Sequence, residues 1–484
     1  MPERWLPNPP PYPPSPPLDW PPGSEPPPPE APVVDAPQSG GMPLAAVVVG
    51  VALLAALATF GLLLLLRPPK KRVVTVSPTT LTPSTAPTTV PGPTTSTPDG
   101  QVLTRAQLAR ALPGFIAFVE QHRGLKFKST PAVVLDTVPT YLTAWHTYLR
   151  SDKPLLTHLD VVMTAFGLNP SNTDLVQAQQ TWLGDGTVAF YDPATKVLHV
   201  RTAPYTSYVK QTIVGMLTRA LDDQWFSIGR LDPSKGLGEP QFGLATLVSG
   251  DQQRIGNTWL STQSYDEQQN AQAEAADRTP NVSDPRQVPV SLARWLSSPD
   301  NAGPDLVQAI LDQGGRAALD AAFRTPPGGS QQALDPTRYV AGEKPLTVPP
   351  PAPGATPTAS GSFGQLLIQD AFTDNVDSDL LSQAMDGYRG DATVAWTSQG
   401  QSCARIRLAS VDRESTTAMA QAVTQWANRV KATFVIIADP TRPGQSLVEA
   451  TVCHAGGGGG GSPSTTTPGP GGPPGTSPGQ GPNI

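Results

Sequence analysis

The longest apolar stretch of the chain runs from Leu44 to Leu66 without a charged residue. At about 1.5 Å per residue a helix of that length spans about 34 Å, enough to cross a bilayer core. It begins too far from the N-terminus and runs too long for a cleaved signal peptide, so an uncleaved anchor is expected at 44–66. Beyond residue 100 the pattern changes to helical periodicity, with amphipathic runs at Leu108–Val119 and Val209–Leu221. Within the second run Val209, Ile213, Leu217 and Leu221 repeat every fourth position, which predicts a helix over 206–225 with one buried side. Between these helices, Ala189–Tyr191 and the alternating Val197–Val200 flank an Asp192-Pro193 turn and predict a hairpin.

Residues 345–360 are rich in Pro, Ala, Gly and Ser and read as a linker or loop. After them the pattern predicts a helix, strands at 393–396 and 403–408, a helix over 415–430, and strands at 434–438 and 447–452. The fold class expected is therefore α+β. A mainly helical region, 101–344, is followed by an α+β part, 361–454, of the same extracytoplasmic domain, and one transmembrane helix precedes both.

With 58 prolines and 44 glycines, much of the remaining sequence lacks the aliphatic content to bury a core. Residues 1–43 read as a disordered Pro-rich segment, 67–100 as a basic flank leading into a Thr/Ser/Pro stalk, and 455–484 as a disordered Gly/Pro/Thr tail. The Pro-x-x-Pro spacings of the N-terminal segment suit either a partner with an aromatic-lined groove or a solvated spacer. A formal net charge of -6, with 15% charged residues, supplies no basic field and argues against nucleic acid as a partner.

Orientation in the membrane rests on features that disagree. Arg67, Lys70, Lys71 and Arg72 follow the apolar run while only Arg4 precedes it, which by charge alone puts the C-terminal bulk in the cytoplasm. The stalk composition and the cysteines favour the outside, and we place the domain there, on a single-pass protein of the cell membrane. The chain's two cysteines, Cys403 and Cys453, lie on or beside candidate strands of the last folded stretch. They form either a disulfide, closing a long loop in an oxidising compartment, or two buried thiols.

The helix over 206–225 reads Gly215-Met216-Leu217-Thr218-Arg219-Ala220-Leu221-Asp222-Asp223-Gln224. It resembles the active-site helix of bacterial zinc metallopeptidase-like proteins, His-Glu-Leu-x-His-Ala-Leu-x-Asp-Gln. Leu247-Val248-Ser249-Gly250-Asp251 is similar to that family's Leu-Val-Glu-Gly-Asp stretch, which supplies a further ligand. Arg123-Gly124-Leu125-Lys126-Phe127, Tyr191-Asp192-Pro193, Pro326-Pro327 with Tyr339, Gly342, Glu343 and Pro345, and Gly387-Tyr388-Arg389-Gly390-Asp391 follow in the family's order. The likeness spans roughly 101–454.

What the resemblance implies is a zincin-like framework without its chemistry. In an active zincin, two histidines one helical turn apart hold zinc and the adjacent glutamate is the general base. Here Gly215, Met216 and Arg219 stand in those places and Ser249 replaces the further carboxylate. No metal, no cofactor and no catalytic residue is therefore expected, and the chain is expected not to be an enzyme. The five histidines, His122, His146, His158, His199 and His454, offer no pair with short ligand spacing on a helix face. Arg219 either binds an anionic ligand in an inherited cleft or forms a salt bridge with Asp222, Asp223 or a nearby glutamate. The function expected is binding of a peptide, a protein or an envelope component; a rewired hydrolase and a purely structural envelope protein are the alternatives. Asn281-Val282-Ser283 also satisfies the glycosylation pattern.

Overall fold

A computed structural model describes residues 100–455, all within one compact unit of the chain. The expected anchor at 44–66, the N-terminal segment 1–43, the stalk and the tail beyond Ala455 lie outside the described residues. No helix among the described residues is long and apolar enough to cross a membrane.

The chain is α+β, with two sheets among the described residues. It opens with α1 (Arg105–Arg123), started by a capping box in which Thr104 and Gln107 satisfy each other's backbone N–H. Strand β1 (Ala132–Asp136), helix α2 (Val138–Leu149), a 3-10 turn (Arg150–Asp152), α3 (Lys153–Ala165) and α4 (Leu175–Leu183) follow. The expected hairpin is present as β2 (Ala189–Asp192) and β3 (Val197–Arg201). Asp192 accepts from Ala194 N–H and the Thr195 hydroxyl and so shapes its turn. Periodicity did not reveal β1, which pairs in parallel with β3 and completes the order β1-β3-β2.

Helix α5 (Ser207–Phe226) is the predicted one, begun by the Thr206 hydroxyl accepting from Val209 N–H. It buries Val209, Ile213, Leu217 and Leu221. Helix α6 (Glu239–Leu260) packs against α5 on one side and on the other against α8 (Val290–Arg324), which is broken at Gly314 and Gly315. The α6–α8 crossing is a backbone contact: a Cβ on Gly250 would lie 2.1 Å from the Gly303 carbonyl oxygen. Helix α7 (Tyr265–Arg278) lies between them in sequence, and α9 (Ser330–Leu334) and α10 (Pro336–Val340) follow α8.

The second sheet holds β4 (Pro357–Gly361), β5 (Tyr388–Ser398), β6 (Gln401–Ser410), β7 (Thr433–Ala438) and β8 (Ser446–Ala455) in the order β4-β5-β6-β8-β7, antiparallel throughout. Helices α11 (Gln365–Thr373), α12 (Ser378–Gly387) and α13 (Arg413–Val430) complete it. The linker or loop expected over 345–360 is irregular backbone as far as 356, though it is packed against the domain. Leu346 N–H donates to Arg389 O, Val348 is buried, and the last residues of the segment begin β4. Only positions 357–360 depart from the loop, drawn into β4 by backbone pairing with β5. Strand β8 likewise runs through Ala455, where the tail was expected to start.

One core joins the helical region to this sheet. Helix α3 sends Leu156, Leu159 and Val162 onto a cluster that includes Ala404, Ile406, Val448 and Trp426. Burying each of these aliphatic side chains contributes roughly 1.5–3 kcal/mol. Phe166 stacks on both Phe363 and Trp426, with ring centroids 5.0 and 5.5 Å away. Cys403 and Cys453 face each other across β6 and β8 as a disulfide.

Candidate functional site

Helices α2, α5, α6 and α8, the start of α3 and the β2–β3 hairpin enclose an open cleft of about 1170 Å³. Most of its wall is apolar, with Phe190, Phe242 and Trp295 among the rings that line it.

Of the four positions where metallopeptidase-like chemistry was expected to have been replaced, two reach the cleft. Arg219 lines it from α5 and Ser249 from α6. Gly215 is covered by Gln252, whose Cγ would be 3.0 Å from an added Cβ, and Met216 is buried among Ile213, Leu217 and the rest of the α5 core. Gln252 thus occupies the space beside Gly215 and also meets Arg219, its Oε1 lying 3.5 Å from Nη1. The Ser249 hydroxyl donates to Asp300 Oδ1 and accepts from Gln253 Nε2 at 3.1 Å.

Of the two alternatives for Arg219, the salt bridge to Asp222 or Asp223 is not formed. Asp222 is claimed by Arg123, whose Nε donates to Asp222 Oδ1 at 2.9 Å and sits 2.6 Å from Asp251 Oδ2. Arg123 Nη1 also donates to Asp320 at 2.7 Å, and the guanidinium carbon lies 5.5 and 5.3 Å from the ring centroids of Phe226 and Phe323. Burial pushes the Asp222 carboxyl well above its ordinary range, with Arg123 opposing. Asp223 accepts from the Tyr191 hydroxyl at 2.7 Å and from Lys196 Nζ at 2.6 Å. Arg219, Asp222 and Ser249 therefore do not converge: Asp222 is fully buried in the Arg123 network and does not line the cleft.

The part of the helix that matches the resemblance has structural employment. Asp223 fixes the hairpin, and Gln224 Oε1 accepts from Lys128 N–H at 2.8 Å while its Nε2 donates to Ser129 O at 2.9 Å. Asp391 of the Gly387–Asp391 stretch accepts from the Tyr388, Ser362 and Thr393 hydroxyls and from the Phe363 and Gly364 N–H groups.

Arg219 is left as the cleft's cation. Its Nε is buried without a hydrogen-bond partner, and among the described residues lining the cleft no other arginine and no lysine appears. Burial pushes the Tyr148 hydroxyl up, and the Arg219 guanidinium beside it pulls it down. The carboxylates nearby are engaged: Asp192 in its turn, Asp300 with Ser249, and Asp152 with Gln179, with burial raising Asp152 toward neutrality.

One further group emerges that spacing did not single out. His199 stands on the cleft wall, its Nδ1 2.7 Å from Asp136 Oδ2 and its ring stacked on Phe190 with centroids 4.8 Å apart. Asp136 ends β1, so the pair exists only because β1 lies beside β3. His146 pairs with Asp185 and His122 stacks on Phe118. Among the described residues no group of three or more His, Cys, Asp or Glu side chains is placed to hold a metal ion.

Comparison with protein-family models, with curated proteins and with solved structures finds no match to this chain.

Proposed function

We propose that this chain is a membrane-anchored, catalytically silent zincin-like protein whose cleft binds a peptide, protein or envelope component carrying an anionic group, with the folded domain outside the membrane. Arg219 carries the reading. A guanidinium at the wall of a largely apolar cleft, without a carboxylate partner and with a buried Nε lacking an acceptor, is an arrangement that a ligand carboxylate completes. The resemblance over 101–454 adds support, since a peptide cleft outlasts the loss of ligands at Gly215, Met216, Arg219 and Ser249.

The test is titration of the full-length protein with acetylated tetrapeptides bearing a free or an amidated C-terminus. Binding of the free acids, weakened about tenfold or more by Arg219→Gln, is expected, because charge-assisted hydrogen bonds of this kind contribute about 1.5–3 kcal/mol. Equal binding of acid and amide, or stoichiometric zinc with peptide cleavage, would sink the proposal. Protease accessibility of the domain on intact expressing cells tests the topology.

The Asp136–His199 pair favours a second reading, a hydrolase with rewired chemistry, because a carboxylate-oriented imidazole on a cleft wall is the usual form of a general base. Hydrolysis of a chromogenic ester or amide panel that disappears in His199→Gln would establish it. Activity indifferent to that substitution would dismiss it.

A further inference from the structure

Where α6 begins, the cleft wall holds polar atoms that the chain itself leaves unused. Trp295, from α8, lies against the start of α6: a Cβ on Gly238 would meet its Cζ2 at 3.2 Å and Leu155 Cδ1 at 3.1 Å. The indole also packs beside Phe242, with ring centroids 6.1 Å apart. Its Nε1–H is buried and has no acceptor among the described residues. Gln241, one turn of α6 beyond Gly238, lines the same cleft. Its Nε2 donates to Asp232 O at 2.9 Å, which fixes the amide and leaves Oε1 buried with no donor among the described residues.

A second free acceptor stands on α4. Gln179 is 3% exposed, its Nε2 donates to Asp152 Oδ2 at 2.9 Å, and its Oε1 is likewise buried without a donor among the described residues. Asp152 precedes Leu155 by three residues, and Leu155 shares Gly238 with Trp295, so both glutamines and the indole border one end of the cleft. A buried donor or acceptor left unpaired is costly, and three such atoms on the wall of one cleft point to a group that pairs with them.

We propose that this end of the cleft is a subsite for a neutral carboxamide, whose oxygen accepts from Trp295 Nε1 and whose N–H donates to Gln241 Oε1. Leu155 and Phe242 make the surroundings apolar, so a charged group is disfavoured there while a neutral one with both kinds of hydrogen-bonding atom is welcome. Trp295 Nε1 and Gln241 Oε1 do not bond each other, and an amide, with its oxygen and its N–H on separate atoms, bridges such a pair. Two sources present this chemistry, a backbone amide and the side chain of Asn or Gln, and the second N–H of the latter has Gln179 Oε1 to receive it. The inference rests on reading this cleft as a ligand site and names a group that it holds besides the anion at Arg219.

The Trp295 indole N–H reports on the subsite directly. In full-length protein, isotopically labelled at its tryptophans and held in detergent, its nuclear magnetic resonance signal is the one missing from Trp295→Phe. Acetamide and N-methylacetamide are expected to move that signal saturably. Methyl acetate keeps the carbonyl and lacks the N–H, so it should bind about fivefold more weakly, the factor that one hydrogen bond of about 1 kcal/mol commands. Gln241→Leu should weaken both amides to the level of the ester. Tighter binding of acetamide than of N-methylacetamide assigns the subsite to an Asn or Gln side chain, and equal or weaker binding assigns it to a backbone amide. A signal that neither amide moves, or that methyl acetate moves at the same concentrations, overturns the proposal. If Gln241→Leu fails to fold, the ester comparison on wild type decides alone. The probes carry no charge, so Arg219→Gln should respond as wild type does, and a failure here leaves the peptide acid-versus-amide titration to stand or fall by itself.

Discussion

Arg123 and Asp222, 99 positions apart in the chain, form a hydrogen-bonded ion pair of 2.9 Å with both side chains fully buried. Asp251 and Asp320 share the same guanidinium, so α1, α5, α6 and α8 meet at one charged centre. Such a centre adds little net stability over apolar packing, but its loss strands charges in the interior.

Arg123→Ala is therefore expected to destabilise the protein by about 3–5 kcal/mol, because Asp222 and Asp251 lose their buried partner. Urea unfolding of wild type and variant measures the difference. Adding Asp222→Asn to Arg123→Ala should restore part of the loss, since one buried carboxylate disappears with it.

Arg219 should behave in the opposite way. With no ion pair to break, Arg219→Gln is expected to change stability by no more than about 0.5 kcal/mol. A loss of several kcal/mol in the same unfolding assay would mean a structural role for this side chain and would undercut its assignment to a ligand.

Glu239 gives a pH signature. Its carboxyl is buried against Gly329 and Gly364 and accepts from Ser330 N–H and hydroxyl. Burial pushes it from 4.5 up to about 8. Below 4.5 the group is protonated in both folded and unfolded chains, and between 4.5 and about 8 only the unfolded chain releases its proton. Its contribution to stability is therefore lost as pH rises through that window. Glu239→Gln, which resembles the neutral acid, should gain on wild type across the same interval, as read by thermal melts in a pH series.

Reducing the Cys403–Cys453 bond, or replacing both residues with Ser, should cost about 4 kcal/mol by the loop-closure argument for a separation of 50 residues. Denaturant midpoints with and without reductant check the value.

At the α6–α8 crossing, Gly250→Ala is expected to lose about 1–3 kcal/mol or more, because the methyl group would meet the backbone oxygen of Gly303 and only a helix shift relieves it. Gly256→Ala, whose new methyl group would lie 3.5 Å from the Gln211 carbonyl oxygen, should cost far less and serves as the control in the same experiment.

What the sequence by itself determined is whatever a local period and a nearby turn encode. Helix α5 followed from apolar positions every fourth residue, the β2–β3 hairpin from Asp192-Pro193 between two apolar strands, and β5 to β8 with α13 from alternation and spacing. Strands β1 and β4 were missed because the apolar run Ala132–Leu135 does not alternate and β4 is small and polar; pairing with β3 and β5 makes them strands. The site divides in the same way. Arg219 and Ser249 were legible as departures from the metallopeptidase-like pattern that the chain resembles, and both line the cleft. Of the two readings left open for Arg219, the salt bridge to Asp222 or Asp223 does not form, because Arg123, Tyr191 and Lys196 reach those carboxylates from other parts of the chain. His199 gained its place on the cleft wall only when parallel pairing brought Asp136 beside it. Tertiary structure decided which charges meet because Coulomb and hydrogen-bond partners are chosen by distance in space, and buried carboxylates take whichever cation the packing of the helices delivers.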